Sequence, residues 1–285
     1  DDLNLSITTL LDNRSLTLKH PRQRAIFEIE STLSNAFGEY LSGQGFVRIH
    51  TPKIVATATE GGANLFEVRY FERKAYLAQS PQFYKQIGAG AFERVFEIGP
   101  VFRTEEHDTA RHVNEYTSLD LEMSFIDSMQ DLMDIERGFL KFAFDKISEN
   151  NAPQIKLLNV QVPLVPDVIP QIKLTDAQMM LKKEYGRDVL GEPDLDPEDE
   201  RKVSEYFREK EGSDFVFVTH YPRSKRPFYA MPDPKDPELT VSFDLLFRGL
   251  EVTTGGERIH DYDMLSGSIK SRGLDPKNFE YYLQA

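Results

Sequence analysis

Ser242-Phe243-Asp244-Leu245-Leu246-Phe247-Arg248-Gly249-Leu250-Glu251-Val252-Thr253-Thr254 is the stretch whose reading decides the fold. It reads as an antiparallel hairpin turning near Phe247 to Gly249. With an even-numbered loop, Asp244 and Glu251 fall on one face, opposite or diagonal to each other. Two like charges so placed repel. A divalent cation bridging them to a polyphosphate removes that cost, and hard oxygen ligands suit Mg2+. A solvated hairpin with two unrelated acids fits the same residues equally well.

Working outward from the hairpin, the strands come in pairs without regular helical crossovers, which predicts an α+β fold: an antiparallel sheet flanked by helices. Phe215 to Thr219 is a strand preceding the hairpin. Arg94 to Arg103 and Glu115 to Phe125 are two more, separated by the polar loop Thr104 to Asn114. In the second of these, Leu119, Leu121, Met123 and Phe125 are expected to face a core, while Tyr116, Ser118, Asp120 and Glu122 share the other face. That polar face is either solvated or a cleft floor. Phe66 to Tyr70 and Ala75 to Ala78 read as a hairpin, and Phe46 to Ile49 as a short strand.

Helical spacing covers Arg22 to Leu41, where Ile26, Ile29, Leu33 and Phe37 recur, and Asp131 to Ser148. Ser80-Pro81 is an N-cap signature for a helix running to about Gly90, with Gln82 and Lys85 on one side of its first turn. Lys85 there opposes the helix dipole, which suggests an anionic partner, although a plain surface lysine fits too. Residues 150–214 are rich in proline and then in acid, and read as an insertion with helices of its own rather than an independent domain.

Composition excludes several classes. There is no cysteine, so disulfide scaffolds and Cys-ligated zinc or iron–sulfur sites are ruled out. No apolar run approaches the ~20 residues of a membrane span, and the stretch from Asp1-Asp2 shows no basic-then-apolar leader that would read as a signal peptide, so a cytoplasmic setting is expected. The net charge of -13 argues against non-specific polyanion binding by the chain as a whole.

Further strings join the hairpin: Gly45-Phe46 to Thr51-Pro52, Thr59 to Phe66, Gln79 to Lys85, Phe102-Arg103-Thr104-Glu105-Glu106, Arg111-His112 to Glu115, Ser118 to Met123, and Asp244 to His260. In this order they resemble the catalytic core of class II aminoacyl-tRNA synthetases, specifically the aspartyl type of archaeal-like form. The resemblance spans most of residues 1–285 apart from the insertion. It implies ATP-dependent activation of aspartate to aspartyl-adenylate and transfer to the tRNA acceptor end, with Mg2+ as cofactor.

By the resemblance, Arg103, the catalytic residue, and Glu105 hold the α-phosphate and adenine side of ATP, with Thr104 beside them. Arg111, His112 and Val113 form a loop over the nucleotide, and Tyr116 stacks on adenine. Asp244, Glu251 and Thr254 take the metal. Glu60 closes on the substrate ammonium, Ser80, Gln82, Lys85 and Thr254 line the aspartate pocket, Arg258 pairs with the substrate side chain, and Asp120 orients that arginine. Lys85 and Arg258 together place two cations around one carboxylate, which favours aspartate over asparagine. The helix Arg22 to Leu41 matches the family's dimer-forming segment, so a homodimer is expected.

The family's N-terminal anticodon-reading barrel and its C-terminal strand with the γ-phosphate arginine have no counterpart between Asp1 and Ala285, so the chain is expected to be a fragment, inactive on its own. Two alternatives remain: an asparagine-forming paralogue that passes the adenylate to ammonia, and a non-catalytic module that binds amino acid or nucleotide.

Overall fold

Arg248 and Gly249, at φ 50° and 86°, form the two-residue turn of the hairpin, a left-handed conformation that suits strand twist. Gly249 is also needed for space, because a Cβ there would lie 3.1 Å from the Arg201 backbone. The computed structural model describes residues 5–57, 65–104 and 113–285.

In chain order the elements are α1 (Ile7–Asp12), α2 (Arg14–Thr17), α3 (Pro21–Gly43), β1 (Val47–Arg48), β2 (Ile54–Val55), β3 (Glu67–Tyr70), β4 (Arg73–Leu77), α4 (Gln82–Phe92), β5 (Arg94–Phe102) and β6 (Glu115–Met123). They continue with α5 (Met129–Asn150), α6 (Ala152–Leu158), β7 (Gln171–Lys173), α7 (Leu174–Tyr185), α8 (Pro197–Glu211), β8 (Phe215–Thr219), β9 (Ser242–Phe247), β10 (Leu250–Gly256), α9 (Tyr262–Ser271) and, after a 3-10 turn, α10 (Glu280–Leu283). The expected single sheet is three among the described residues, in the orders β1-β5-β6, β2-β4-β3 and β10-β9-β8-β7. Pairing is mostly antiparallel, with β1–β5 and β7–β8 parallel.

Helix α5 links the β1-β5-β6 and β10-β9-β8-β7 sheets. A capping box starts it: Asp131 accepts from the Ser128 amide, and the Ser128 hydroxyl accepts from the amide of Gln130, an arrangement that contributes about 1 kcal/mol. Phe139 and Ala143 of its buried stripe pack with Phe37, Leu41 and Phe96 against the β5–β6 sheet, whereas Met133 packs with Phe215, Phe217, Phe243 and Leu245 of β8 and β9. The opposite face of β8 and β9, through Val216, Val218 and Leu246, is covered by α7 and α8. Residues 150–214 therefore share a core with the sheet and add β7 to its edge.

One sequence expectation fails here. Phe125 does not continue the core face of β6, because the strand ends at Met123 and Phe125 sits in a left-handed conformation with 89% of its surface exposed.

Candidate active site

The polar face of β6 is a cleft floor. Together with α4 and β10 it lines a cleft of about 1670 Å3. Alternation along β6 sends Asp120 and Glu122 to the same side, where α4 delivers Gln82 and Lys85 one turn apart. Lys85 Nζ donates to Asp120 Oδ1 at 2.9 Å and lies 3.8 Å from Glu122 Oε2. Gln82 Nε2 donates to Glu122 Oε2 and to Gln86 Oε1, both at 3.1 Å. Arg258 Nε donates to Glu122 Oε1 at 3.0 Å, and its guanidinium lies 5.2 Å from the centre of the Tyr229 ring. Tyr282 donates to Gln86, which closes the network.

Lys85 and Glu122 are buried and Asp120 and Arg258 partly so, which makes their pairing important. Burial would raise the Asp120 carboxyl, but the Lys85 ammonium and the Ser118 hydroxyl bring it below its ordinary value. Burial would lower Arg258, and the Glu122 carboxylate outweighs it and raises the guanidinium.

Two expectations are corrected by this geometry. Asp120 does not orient Arg258; it holds Lys85, and Glu122 holds the arginine. Nor do Lys85 and Arg258 present uncompensated positive charge, because each already faces a carboxylate. Among the described residues no hydrogen bond engages the terminal Nη atoms of Arg258, so its two-nitrogen edge stays available to a ligand. Ser80, assigned to the same pocket, accepts from the Gln82 amide at 3.2 Å at the start of α4.

At the other end of the cleft lies the hairpin. Glu251 pairs with Leu246, but a bulge at Val252 shifts the register, so that Thr253 faces Leu245 and Thr254 faces Asp244. Asp244, Glu251 and Thr254 therefore share one face, and Thr254 donates to Glu251 at 2.6 Å. Asp244 is 3% exposed and already has a counter-ion: Arg226 donates to it at 2.7 Å, with Nε on Ser242 and the guanidinium 4.0 Å over the Tyr221 ring. Burial and the neighbouring Glu251 charge still push its carboxyl up to about 6, against the pull of Arg226.

Oxygen donors gathered on one face, two of them carboxylates that repel, fit a hard divalent cation such as Mg2+. No group of three or more His, Asp or Glu among the described residues forms a complete metal site, so the remaining positions would fall to water and phosphate.

Between the two ends, Arg103 lies 5.7 Å from the centre of the Tyr116 ring. Thr104 is half-buried and Val113 exposed at the two ends of the polar loop. Glu60, Glu105, Arg111 and His112 lie outside the described residues.

Sequence reasoning missed Arg226 and Glu136. Arg226 comes from the connection between β8 and β9, where no periodicity points to the hairpin. Glu136 had a legible signal: it stands in the apolar stripe Met133, Glu136, Phe139 and Ala143 of α5, a charge on a buried face. Burial raises its carboxyl to about 7, the Asp244 charge adds to that rise, and a hydrogen bond with Thr253 opposes it.

The fold and the charged cleft narrow the class of protein, and comparison with known proteins identifies the family. The sequence profile of class II tRNA synthetases (D, K and N) matches residues 6–285, and the chain belongs to that family. It is 49% identical to the aspartate–tRNA(Asp/Asn) ligase of Deinococcus radiodurans over 99% of this chain and 66% of that protein. It is 42% identical to the aspartate–tRNA(Asp) ligase of Pyrococcus horikoshii over 98% of this chain and 64% of that protein. Thus the chain spans about two thirds of the length of these relatives. Among solved structures, the asparaginyl-tRNA synthetase of Pyrococcus horikoshii complexed with asparaginyl-adenylate superposes with a TM-score of 0.91 at 32% identity, covering 98% of this chain and 64% of that one. The aspartyl-tRNA synthetase of Entamoeba histolytica superposes with a TM-score of 0.85 at 34% identity, covering 99% and 55%.

Proposed function

We propose that the protein carrying this chain is an aspartate–tRNA ligase, which activates aspartate with ATP and passes it to the acceptor end of tRNA. The observation that carries the reading is Arg258, fixed through Nε by Glu122 with its terminal nitrogens uncommitted in the cleft that Glu251 and Thr254 also line. Such an edge binds a carboxylate bidentately. Asparagine would turn an amide N–H, a donor, toward an arginine that has only donors, so selection rests on hydrogen-bond polarity rather than on net charge. Gln82, with both amide protons committed to Glu122 and Gln86, keeps its carbonyl for the substrate ammonium.

In the first step the aspartate α-carboxylate attacks the α-phosphate of ATP and pyrophosphate leaves. Arg103 stabilises the charge that builds there, and Tyr116 offers its ring to the adenine. Asp244, Glu251 and Thr254 would hold Mg2+, which supplies positive charge against the phosphate oxygens when bound. In the second step the terminal ribose hydroxyl of tRNA takes the aspartyl group and AMP leaves. Nothing in this sequence requires a protein nucleophile; the residues position and neutralise.

A homodimer through α3 is part of the reading, supported by Ile26, Phe27, Val47 and Ile54, which are 47%, 43%, 42% and 51% exposed. No helix among the described residues is long and apolar enough to cross a membrane; a cytoplasmic location follows from the proposed role in translation. The test is ATP–pyrophosphate exchange by the full-length protein with aspartate and with asparagine, followed by charging of tRNA. Exchange that depends on aspartate is expected, and exchange driven by asparagine alone, or by neither, would refute the reading.

A further inference from the structure

Thr253 and Thr254 carry identical hydroxyls on opposite faces of β10, and only the bulge decides which of them joins the carboxylates. Without it, continuing the register from the Glu251–Leu246 pair would place Thr253 opposite Asp244. The described register instead turns Thr253 toward α5, where its hydroxyl meets the buried Glu136. Oε2 of Glu136 is buried with no hydrogen-bond partner among the described residues, and the Thr253 hydroxyl is the hydrogen-bonding group set against this carboxyl. A second tie holds the same helix to the end of β10: the Met129 amide donates to Glu257 Oε1 at 2.8 Å.

We infer that Glu136 is a positioning residue: by holding the Thr253 hydroxyl on the α5 face, it fixes the bulge that turns Thr254 to the face shared by Asp244 and Glu251. A leucine would fill the apolar stripe of α5 at least as well, so the carboxyl is not explained by packing. What it adds is a directional anchor on one of two adjacent threonines. The inference rests on the proposed function in that it assigns the Asp244 face to Mg2+·ATP.

The experiment uses the full-length protein and two readouts: calorimetric ATP affinity with and without Mg2+, and KM for aspartate in pyrophosphate exchange. Glu136→Leu and Thr253→Val should each weaken Mg2+-dependent ATP binding by about tenfold, the scale seen when a partner of a metal ligand is lost, and leave KM for aspartate within about twofold. Glu136→Gln and Thr253→Ser, which keep the hydrogen bond, should restore binding, and the double variant Glu136→Leu/Thr253→Val should be no worse than either single one. If Glu136→Leu does not fold, Thr253→Val with its serine rescue decides the matter alone. Wild-type Mg2+·ATP affinity in Thr253→Val, or a Glu136→Gln variant as impaired as Glu136→Leu, would overturn the inference. A wild-type protein inactive with aspartate would instead overturn the functional reading, a result the variants do not influence.

Discussion

At the α4–β6 end of the cleft, two cations and two carboxylates close on one another: Lys85 on Asp120, and Arg258 on Glu122, with Gln82 bridging to the second pair. At the β9–β10 end, two carboxylates share a face; Arg226 pairs with Asp244, whose carboxyl is raised first by burial and then by the Glu251 charge. The first end is a network of paired charges, into which the proposed substrate would fit. In the proposed function the second end takes a cation on its paired carboxylates. The contrast teaches that binding of the amino acid and of the nucleotide should respond to different perturbations.

Arg258→Leu should produce the largest effect. It removes the carboxylate-binding edge and leaves Glu122 buried without its guanidinium, so kcat/KM for aspartate should fall about a thousandfold, while Mg2+·ATP affinity stays within about twofold. Exchange kinetics and calorimetry on the same preparation check both halves. If ATP affinity falls in parallel, the two ends are not separable.

Arg226→Met comes next and separates the structural duty of Asp244 from its ligand duty. A buried carboxylate stripped of its partner costs about 3–5 kcal/mol, read as a shift in the denaturation midpoint. The double variant Arg226→Met/Asp244→Leu should recover most of that stability but not ATP binding. Failure to recover would mean that Arg226 acts mainly through Ser242 and the Tyr221 ring.

The smallest effect is a pH dependence. Glu136 titrates at about 7 in the folded protein against 4.5 for an unperturbed carboxyl, so unfolding releases a proton between those values and stability is lost as pH rises through the window. Glutamine has no proton to release. The stability advantage of Glu136→Gln should therefore be small at pH 4, grow to on the order of 2–3 kcal/mol by pH 7.5 and stay level above it. Denaturation midpoints at pH 4, 6 and 8 check the sign, and an advantage that shrinks with pH would contradict it.

Much of the fold was legible because periodicity is a local property. The alternation of Tyr116, Ser118, Asp120 and Glu122 and the helical spacing of α3 and α5 needed no tertiary information. The common face of Asp244 and Glu251 followed from parity alone, and the two-residue turn provides it. What stayed illegible depends on contacts between distant segments. Whether Asp120 or Glu122 holds Arg258 depends on the approach of a residue 136 positions from Glu122. The bulge at Val252, which exchanges the roles of two adjacent threonines, leaves no mark in the alternation beyond the Thr-Thr pair itself. Phe125 was misread because a strand pattern does not announce its own end.

The separation of the two ends can be measured in one titration series on the full-length protein, with aspartate and ATP each titrated in the presence and absence of Mg2+. The account predicts that aspartate affinity changes by less than about twofold on adding Mg2+, whereas ATP affinity rises by at least about tenfold. Aspartate binding that needs Mg2+, or ATP binding indifferent to it, would contradict the proposed division between an amino-acid pocket of paired charges and a metal-dependent phosphate end.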